Sequence, residues 1–392
     1  MAWGEAKVED KRKEFIYKFE EKIHSFTGLC RQYEISRPTG YKWVERFKEE
    51  GLEGLHDKSR APSHQAFKTD DILVQQIIGL RIQQPTWGPK KVLGYLKRHY
   101  PNTAWPSTTT IGNIFDRNGL TVCRKYRRRV PARTVPLAHC QQPNDVWCAD
   151  FKGWFLTSDG QKCEPFTLTD ACSRFLIRCK KLDFNRGEYV WGVLDAAFRE
   201  WGLPLYLRHD NGPPFATCAP GRLSQLSVKL VKAGVMPEWI EPGKPQQNGR
   251  HERMHLTLKN EAATPPADNL VLQQIRFEEF QDYYNFTRPH EALNQDTPGN
   301  VYRPSIRTWD GCLRSPEYST EYEVRKVMKC GCISRRGKHL FISEILYREH
   351  VGIIEQEDGI FRVEYGPIIL GTIDQSNTFK VPENKWRRAR KA

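Results

Sequence analysis

The chain has 392 residues, 39% of them hydrophobic, and its 61 Lys and Arg exceed its 47 Asp and Glu to give a formal net charge of +14. This hydrophobic content supports folded cores in about two to four domains and excludes wholesale disorder. No apolar run is long enough for a membrane span, the charged start is unlike a secretory signal, and eleven scattered cysteines without a paired CxxC exclude a disulfide scaffold or zinc ribbon. The composition favours the cytoplasm, and the positive charge predicts a polyanionic partner, most often nucleic acid.

The charge is unevenly distributed along the chain. Residues 1–142 carry +11, residues 143–300 carry −2 and residues 301–392 carry +5. We interpret the basic flanks as phosphate-binding and the slightly acidic middle as cation-binding, although ordinary surface charge on three domains also fits. Phosphate binding by such flanks weakens steeply with salt.

The first part of the chain is predicted to be helical, because Phe15, Phe19, Ile23 and Phe26 recur at helical spacing. Ser36 suits a helix N-cap, and a second helix with a basic face follows it, as in a helix-turn-helix. Its first turns are predicted to enter a DNA major groove. The predicted DNA-binding residues here are Arg37, Thr39, Tyr41 and Lys42.

A second helical unit follows, with an amphipathic helix over residues 70–83 and another from Trp87 to about His99. Residues 107–110 cap a third helix, which makes Ser107, Thr108 and Thr109 candidates for DNA contact if this is also a helix-turn-helix. A plain helical bundle is the alternative. The run RKYRRRVPAR that follows is predicted to track phosphates through Arg124, Lys125, Arg127, Arg128 and Arg129.

The middle of the chain has the pattern of a mixed α/β layer, with three strands in an antiparallel meander and then alternating helices and short strands. Three carboxylates stand out in it. Asp150 lies within a strand, where Asp is disfavoured, Asp210 ends another strand, and Glu252 begins a helix after a polar loop. Carboxylates that converge in this way favour Mg²⁺ or Mn²⁺, and two such ions suit phosphoryl transfer.

Five ordered sequence runs resemble the integrase-type catalytic core of bacterial insertion-sequence transposases, which are relatives of retroviral integrases. The runs are WCADFKGWF, LTDACSRF, RHDNGPPF, PGKPQQNGRHERMHLTLKNE and YYNFTRPHEALNQDTP. The resemblance covers residues 140–305 well, and the helical flank and β-rich tail are also similar to that group. The gap between the second and third carboxylates is longer here than in retroviral-type cores, and we expect the extra residues in 216–224.

The resemblance implies a ribonuclease-H-like fold with a catalytic and metal-binding triad of Asp150, Asp210 and Glu252. It implies 3′-end cleavage and strand transfer with two Mg²⁺ or Mn²⁺ ions, double-stranded DNA of element ends and target as partner, and a homo-oligomer in the DNA complex. Lys259 lies two helical turns after Glu252 and is a further candidate for phosphate contact. We therefore expect a protein that is cytoplasmic and nucleoid-associated when bound to DNA.

Three alternatives remain open at this stage. A non-catalytic DNA-binding protein derived from a transposase would keep the helical units and lose the metal chemistry, and a nuclease of the same fold would only cut. The run from His251 to His255 also spells HExxH, the zinc signature of metalloproteases. That signature is five residues long, and a protease gives no role to Asp150 or Asp210.

The last part of the chain alternates apolar and polar residues between turn signals, which predicts a small β-barrel and then a basic tail. The fold class predicted for the whole chain is multidomain: α-helical helix-turn-helix units, an α/β ribonuclease-H-like mixed-sheet core, and a small β-barrel. The predicted domains are a helix-turn-helix at 1–60, a second at 66–122, a basic linker at 123–142, the integrase core at 143–305, the barrel at 318–382 and the tail at 383–392.

Overall fold

The computed structural model describes residues 8–58, 69–121, 139–241, 249–357 and 359–382. Two compact units compose it, residues 1–70 and residues 71–392. The predicted phosphate-tracking residues Arg124, Lys125, Arg127, Arg128 and Arg129, and the basic tail, lie outside the described residues. No helix in the described ranges is long and apolar enough to cross a bilayer.

The first unit is a small three-helix domain. Its helices are α1 (Val8–Glu20), α2 (Phe26–Gln32) and α3 (Arg37–Glu50), and a short 3₁₀ turn (Gly51–Leu55) closes it. Phe15, Leu29 and Trp43 meet in its core. Ser36 caps α3 as predicted, because its hydroxyl accepts a hydrogen bond from the Thr39 backbone N–H. The α2–α3 pair therefore has the helix-turn-helix arrangement that the sequence predicts.

The second unit begins with three helices, α4 (Asp71–Gln83), α5 (Pro89–His99) and α6 (Thr108–Arg117). They match the three predicted helices to within two residues at each end. Ser107 caps α6 through the Thr110 N–H. Trp87, Val92 and Ile111 are wholly buried in the core between the helices.

A mixed five-stranded sheet with helices around it forms the centre of this unit. The elements are β1 (Val146–Phe151), β2 (Phe155–Leu156), β3 (Lys162–Cys163), β4 (Pro165–Asp170), β5 (Leu176–Lys181), α7 (Gly187–Trp201), β6 (Tyr206–His209), α8 (Gln225–Lys232), β7 (Met236–Trp239), α9 (Gly249–Glu261), α10 (Leu270–Asp282) and α11 (Pro298–Val301). The strand order is β5-β4-β1-β6-β7, and β2 and β3 form a separate hairpin. β1, β4 and β5 are antiparallel neighbours, whereas β1, β6 and β7 run parallel. This is the predicted ribonuclease-H-like arrangement.

The sequence predicts one continuous helix over residues 269–287, but in the structure this helix is interrupted. After α10 the backbone widens into a π-helical turn (Tyr283–Thr287). The wider turn points Asn285 at the sheet, where its amide accepts from the Leu176 N–H at 2.8 Å and donates to the Leu176 carbonyl at 2.9 Å. These two bonds satisfy backbone groups of β5 that an ideal helix would leave unpaired.

The C-terminal part is a curled antiparallel half-barrel, an open form of the predicted small barrel. Its strands are β8 (Glu323–Lys326), β9 (Cys332–Arg335), β10 (Lys338–Phe341), β11 (His350–Glu357), β12 (Ile360–Tyr365), β13 (Ile368–Ile373) and β14 (Phe379–Lys380). Five strands pair in the order β14-β13-β12-β11-β8, and β9 and β10 form a hairpin. Arg335 of the hairpin donates to Glu323 on β8 and to Asn377 between β13 and β14, so the hairpin bridges the two open edges.

The half-barrel packs on the segment between β6 and α8. Gly221, at a φ of +64°, approaches it so closely that an added Cβ would lie 2.8 Å from Ile368. Leu223, Val228 and Val231 belong to the half-barrel core although they precede it in the chain. Gly221 and Leu223, within the segment 216–224 that is expected to lengthen the gap before Glu252, therefore contact the half-barrel.

Candidate active site

Two of the predicted carboxylates lie at the ends of neighbouring parallel strands. Asp150 is the next-to-last residue of β1, and Asp210 directly follows β6. The strands pair Cys148 with Arg208. Continuing that register by two residues sets Asp210 beside Asp150 on the same face of the sheet, because side chains alternate along a strand. The carboxyl ends of parallel strands are where α/β sheets form ligand sites.

A fixed turn holds Asp210 at the rim of the sheet. The Asn211 side chain donates to the Ile240 carbonyl at 2.7 Å, and Arg222 donates to the Asn211 side chain at 2.9 Å. The Asp210 carboxyl remains exposed, yet partial desolvation raises its pKa above the ordinary value. A cation at this position would favour the charged carboxylate and offset that rise.

Helix α9 covers the end of β1 with two histidines. The predicted HExxH residues His251 and His255 are both buried and face Thr167, the residue on β4 that pairs with Asp150. The Thr167 hydroxyl lies 2.7 Å from Nε2 of each imidazole and 3.1 Å from the Asp150 carbonyl oxygen. Nδ1 of His251 lies 2.9 Å from the hydroxyl of Thr169.

Both imidazoles are neutral in this environment. Burial lowers the pKa of His251 well below its ordinary value and lowers the pKa of His255 to about 3. One proton arrangement then satisfies every contact: the Nε2–H groups of His251 and His255 both donate to the Thr167 hydroxyl, Thr167 donates to the Asp150 carbonyl, and the Thr169 hydroxyl donates to Nδ1 of His251. The histidine pair and the two threonines are thus a complete buried hydrogen-bond network beneath Asp150.

The described residues contain one group of three side chains close enough to share a metal ion. It consists of Asp150, His251 and His255, with one ligand atom of each within 4.8 Å of the others. Two imidazoles and a carboxylate are a ligand set that suits Zn²⁺. The Thr167 hydroxyl, however, engages Nε2 of both rings, so a zinc ion would have to displace it. The carboxylates of Asp150 and Asp210 offer oxygen donors, the ligand type that Mg²⁺ and Mn²⁺ prefer.

Glu252 lies beside this network, exposed at the start of α9, and neither it nor Asp210 belongs to the group of three. Helical geometry places Glu252 about 60° around α9 from His255, on the side where Lys259 lies about 10 Å further along. Lys259 is also exposed. Residues 242–248, which lead into α9, are outside the described residues. The triad of Asp150, Asp210 and Glu252 therefore stays a prediction.

The predicted DNA-binding residues of α3 form an open surface. Arg37, Tyr41 and Lys42 are exposed, and Thr39 is half-buried with its hydroxyl 2.8 Å from that of Ser36. The Tyr41 ring stacks on Phe26 at 4.1 Å between centroids. In the second helical unit, Ser107 and Thr109 are exposed and Thr108 is half-buried at the start of α6.

One functional feature, the threonine pair beneath Asp150, escaped the sequence analysis. Thr167 and Thr169 were not singled out, although two hydroxyls at alternate positions of an otherwise apolar strand, FTLTD, were a readable signal of a buried polar network. Asp170, the last residue of β4, is structural: its carboxylate accepts from the N–H and hydroxyl of Ser173 and from the Asn144 N–H, at 2.6–2.8 Å.

Comparison with known proteins supports the interpretation of this chain as an integrase-type core preceded by helical DNA-binding domains. An integrase core domain model matches residues 141–245 and a second matches residues 233–298, while homeodomain-like domain models match residues 6–55 and 39–115. The chain is 26% identical over 245 residues to the uncharacterized 31.7 kDa protein of insertion element IS407 from Burkholderia multivorans, a match that covers 61% of this chain and 85% of that protein. It is 28% identical over 176 residues to the uncharacterized 39.2 kDa protein of insertion element IS476 from Xanthomonas euvesicatoria, covering 45% of this chain and about half (49%) of that protein.

Some solved structures of retroviral integrases are also similar to parts of this chain. The HTLV-2 integrase catalytic core domain in complex with magnesium has 14% identity and a TM-score of 0.33, over 41% of this chain and 98% of that one. The simian T-cell lymphotropic virus intasome in complex with PP2A regulatory subunit B56 gamma has 14% identity and a TM-score of 0.36, over 75% and 97%. The domain matches and the two insertion-element relatives confirm the resemblance that the five sequence runs indicated.

Proposed function

Because this chain contains an integrase core domain preceded by homeodomain-like domains, we propose that it is a DNA transposase that binds element ends and catalyses 3′-end cleavage and strand transfer. The observation that carries the proposal is the placement of Asp150 and Asp210 at the ends of neighbouring parallel strands, with α9 packed across them. Its partners are double-stranded DNA at the element ends and at the target, and further copies of the chain.

Asp150, Asp210 and Glu252 hold two Mg²⁺ or Mn²⁺ ions in this proposal. When bound, such ions supply the positive charge that activates an attacking oxygen and stabilises the leaving oxygen of a phosphodiester. The chain's own residues position the reaction. The Thr167 network fixes the end of β1 beneath Asp150, Arg222 fixes the turn that carries Asp210, and Lys259 contacts a phosphate.

A strand-transfer assay tests the proposal. Full-length protein is mixed with Mg²⁺ and DNA that carries the ends of the encoding element, and joined product is measured for wild type and for Asp150→Asn, Asp210→Asn and Glu252→Gln. We expect each change to lower joining by at least about 100-fold, because each removes a charged ligand at the reacting phosphate. Asp282→Asn and Glu188→Gln are matched controls at exposed positions of α10 and α7 and should join normally.

The outcomes separate the alternatives. Undiminished joining in all three variants would refute the triad. Binding of end DNA without joined product, in Mg²⁺ and in Mn²⁺, would favour a non-catalytic DNA-binding protein, and cut but unjoined DNA would favour a nuclease. Stoichiometric zinc in the purified protein, with peptidase activity that His255→Ala abolishes, would favour the HExxH alternative.

A further inference from the structure

The second helical unit is seated on the catalytic core by specific polar contacts. The buried Trp87 indole donates to the Tyr283 hydroxyl at 2.6 Å, and that hydroxyl donates to Gln84 at 2.8 Å. Thr86 donates to Glu261, the last residue of α9, at 2.6 Å. Tyr283 begins the π-helical turn, so the sequence run YYNFTRPH, which is part of the resemblance to integrase-type cores, also contacts the helical unit α4–α6.

Further contacts fix the orientation of this helical unit. Lys90 pairs with Glu291 at 2.7 Å, and Arg98 pairs with Asp296 at 3.2 Å. Gly94 on α5 lies so close to the core that an added Cβ would be 2.6 Å from the Gln295 side chain. Contacts on both flanks of α5 leave the helices one defined position against the core.

This seating creates a cleft of about 1140 Å³ between α6 and the outer face of α9. Thr108, Thr109 and Asn113 line it from α6, and Arg253, Thr257 and Asn260 line it from α9. Thr108 and Thr109, two of the three predicted DNA-contacting residues of the second unit, therefore face α9 across a shared space. Hydroxyl, amide and guanidinium donors on both walls are the groups that proteins use to contact a sugar-phosphate backbone.

The cleft holds positive charge that its own acids do not neutralise. Glu261 is paired with Arg288, and Glu291 is paired with Lys90. Lys91 and Arg253 form no ion pair with any residue in the described ranges. Burial, followed by repulsion from Arg288, lowers the pKa of Lys91 to about 8, so its ammonium lies in a site that disfavours further positive charge. The remaining acid on the wall, Asp116, is exposed to water.

We propose that this cleft binds the sugar-phosphate backbone of element-end DNA, so that α6 and α9 of one chain hold the same DNA. The inference rests on the proposed function and adds where the DNA lies. Lys91 and Arg253 contact phosphates, and the threonine and asparagine side chains donate to phosphate or sugar oxygens. The DNA bound by the second helical unit thereby also contacts α9, the helix that carries Glu252, in the same chain.

Equilibrium binding to a short fluorescein-labelled duplex of random sequence tests this inference, since phosphate contacts do not depend on sequence. Full-length protein is titrated in EDTA, without divalent ions, at salt concentrations between about 50 and 200 mM, and the slope of log K against log salt is measured. Lys91→Gln and Arg253→Gln should each make that slope shallower by about 0.9, the contribution of one phosphate contact. Arg199→Gln, an exposed charge on α7 away from the cleft, is the matched control and should leave the slope unchanged.

An unchanged slope in both cleft variants, or an equal change in the Arg199→Gln control, would overturn the inference. Neither variant should fail to fold, because Arg253 is exposed and Lys91 is a half-buried cation without an ion-pair partner among the described residues; thermal melting verifies this. The assay needs no catalysis. Shallower slopes in the cleft variants, together with a wild type that gives no joined product, would support DNA binding in the cleft and count against the transposase proposal. Normal joining by the wild type, together with unchanged slopes, would support the transposase proposal and count against DNA binding in the cleft.

Discussion

Replacing Thr167 by valine removes the one hydroxyl that two buried imidazoles share. The side chain keeps its shape, so backbone and packing around β4 are little disturbed. Nε2 of His251 and Nε2 of His255 both lose their 2.7 Å partner, and both rings are buried from water.

The loss in the free energy of unfolding can be worked out from these two unsatisfied nitrogen atoms. An unsatisfied buried polar group costs about 1–3 kcal/mol, which gives about 2–6 kcal/mol for the pair. The added methyl group recovers about 0.8 kcal/mol of apolar burial. The net loss in the free energy of unfolding is therefore about 1–5 kcal/mol. Thr169→Val orphans a single nitrogen of His251 and should cost roughly half as much.

Urea unfolding followed by tryptophan fluorescence measures these losses, because Trp147 lies in the core of the same sheet. Thr320→Val, at an exposed position before the half-barrel, is the matched control and should change stability by less than about 0.5 kcal/mol. A Thr167→Val variant as stable as Thr320→Val would contradict this expectation, since the imidazoles would then not depend on the shared hydroxyl.

Three further predictions concern the same unit. Burial lowers the pKa values of His255 and His290 to about 3, so below pH 6.5 the unfolded chain binds protons that the folded chain does not. The free energy of unfolding should therefore fall by about 1.4 kcal/mol per pH unit for each histidine as the pH drops from about 6 to 4. Urea unfolding at several pH values measures this, and a constant free energy of unfolding would contradict it. Tyr283→Phe removes the hydroxyl that joins Trp87 to the core and should lower stability by about 1–3 kcal/mol in thermal melts, whereas an unchanged melting temperature would show that the seat does not depend on it. Asp170→Asn turns an acceptor of three hydrogen bonds into a partial donor and should cost about 2–4 kcal/mol in urea unfolding, an expectation that fails if the loss is below about 0.5 kcal/mol.

Local sequence signals predicted the helices and strands well. Ser36 and Ser107 cap α3 and α6 as expected because a cap depends on residues three positions apart. The order of the core elements and the sheet followed from hydrophobic periodicity and from the sequence runs shared with integrase-type cores. The interruption of the helix at Tyr283 was not predicted, because the π-helical turn positions Asn285 to hydrogen-bond backbone groups of β5, a strand distant in sequence.

The site was only partly readable from sequence. Asp150 and Asp210 are set side by side by strand register, which the predicted sheet implies. The HExxH run was visible, but its meaning depends on what faces it, and only the fold brings Thr167 against both rings. The cleft between α6 and α9 was also hidden, because it arises from contacts of Trp87 and Lys90 with residues nearly two hundred positions away in the chain.

The shared core of the half-barrel has a consequence for how such a gene can change. Leu223, Val228 and Val231 lie between strands of the central mixed sheet in the sequence, but their side chains pack in the core of the half-barrel. A truncated chain ending after α11 would expose this apolar strip to water and favour aggregation. If related genes exchange segments, the product should fold only when the exchange point precedes both the central mixed sheet and the half-barrel. The two sheets are then inherited together from one gene.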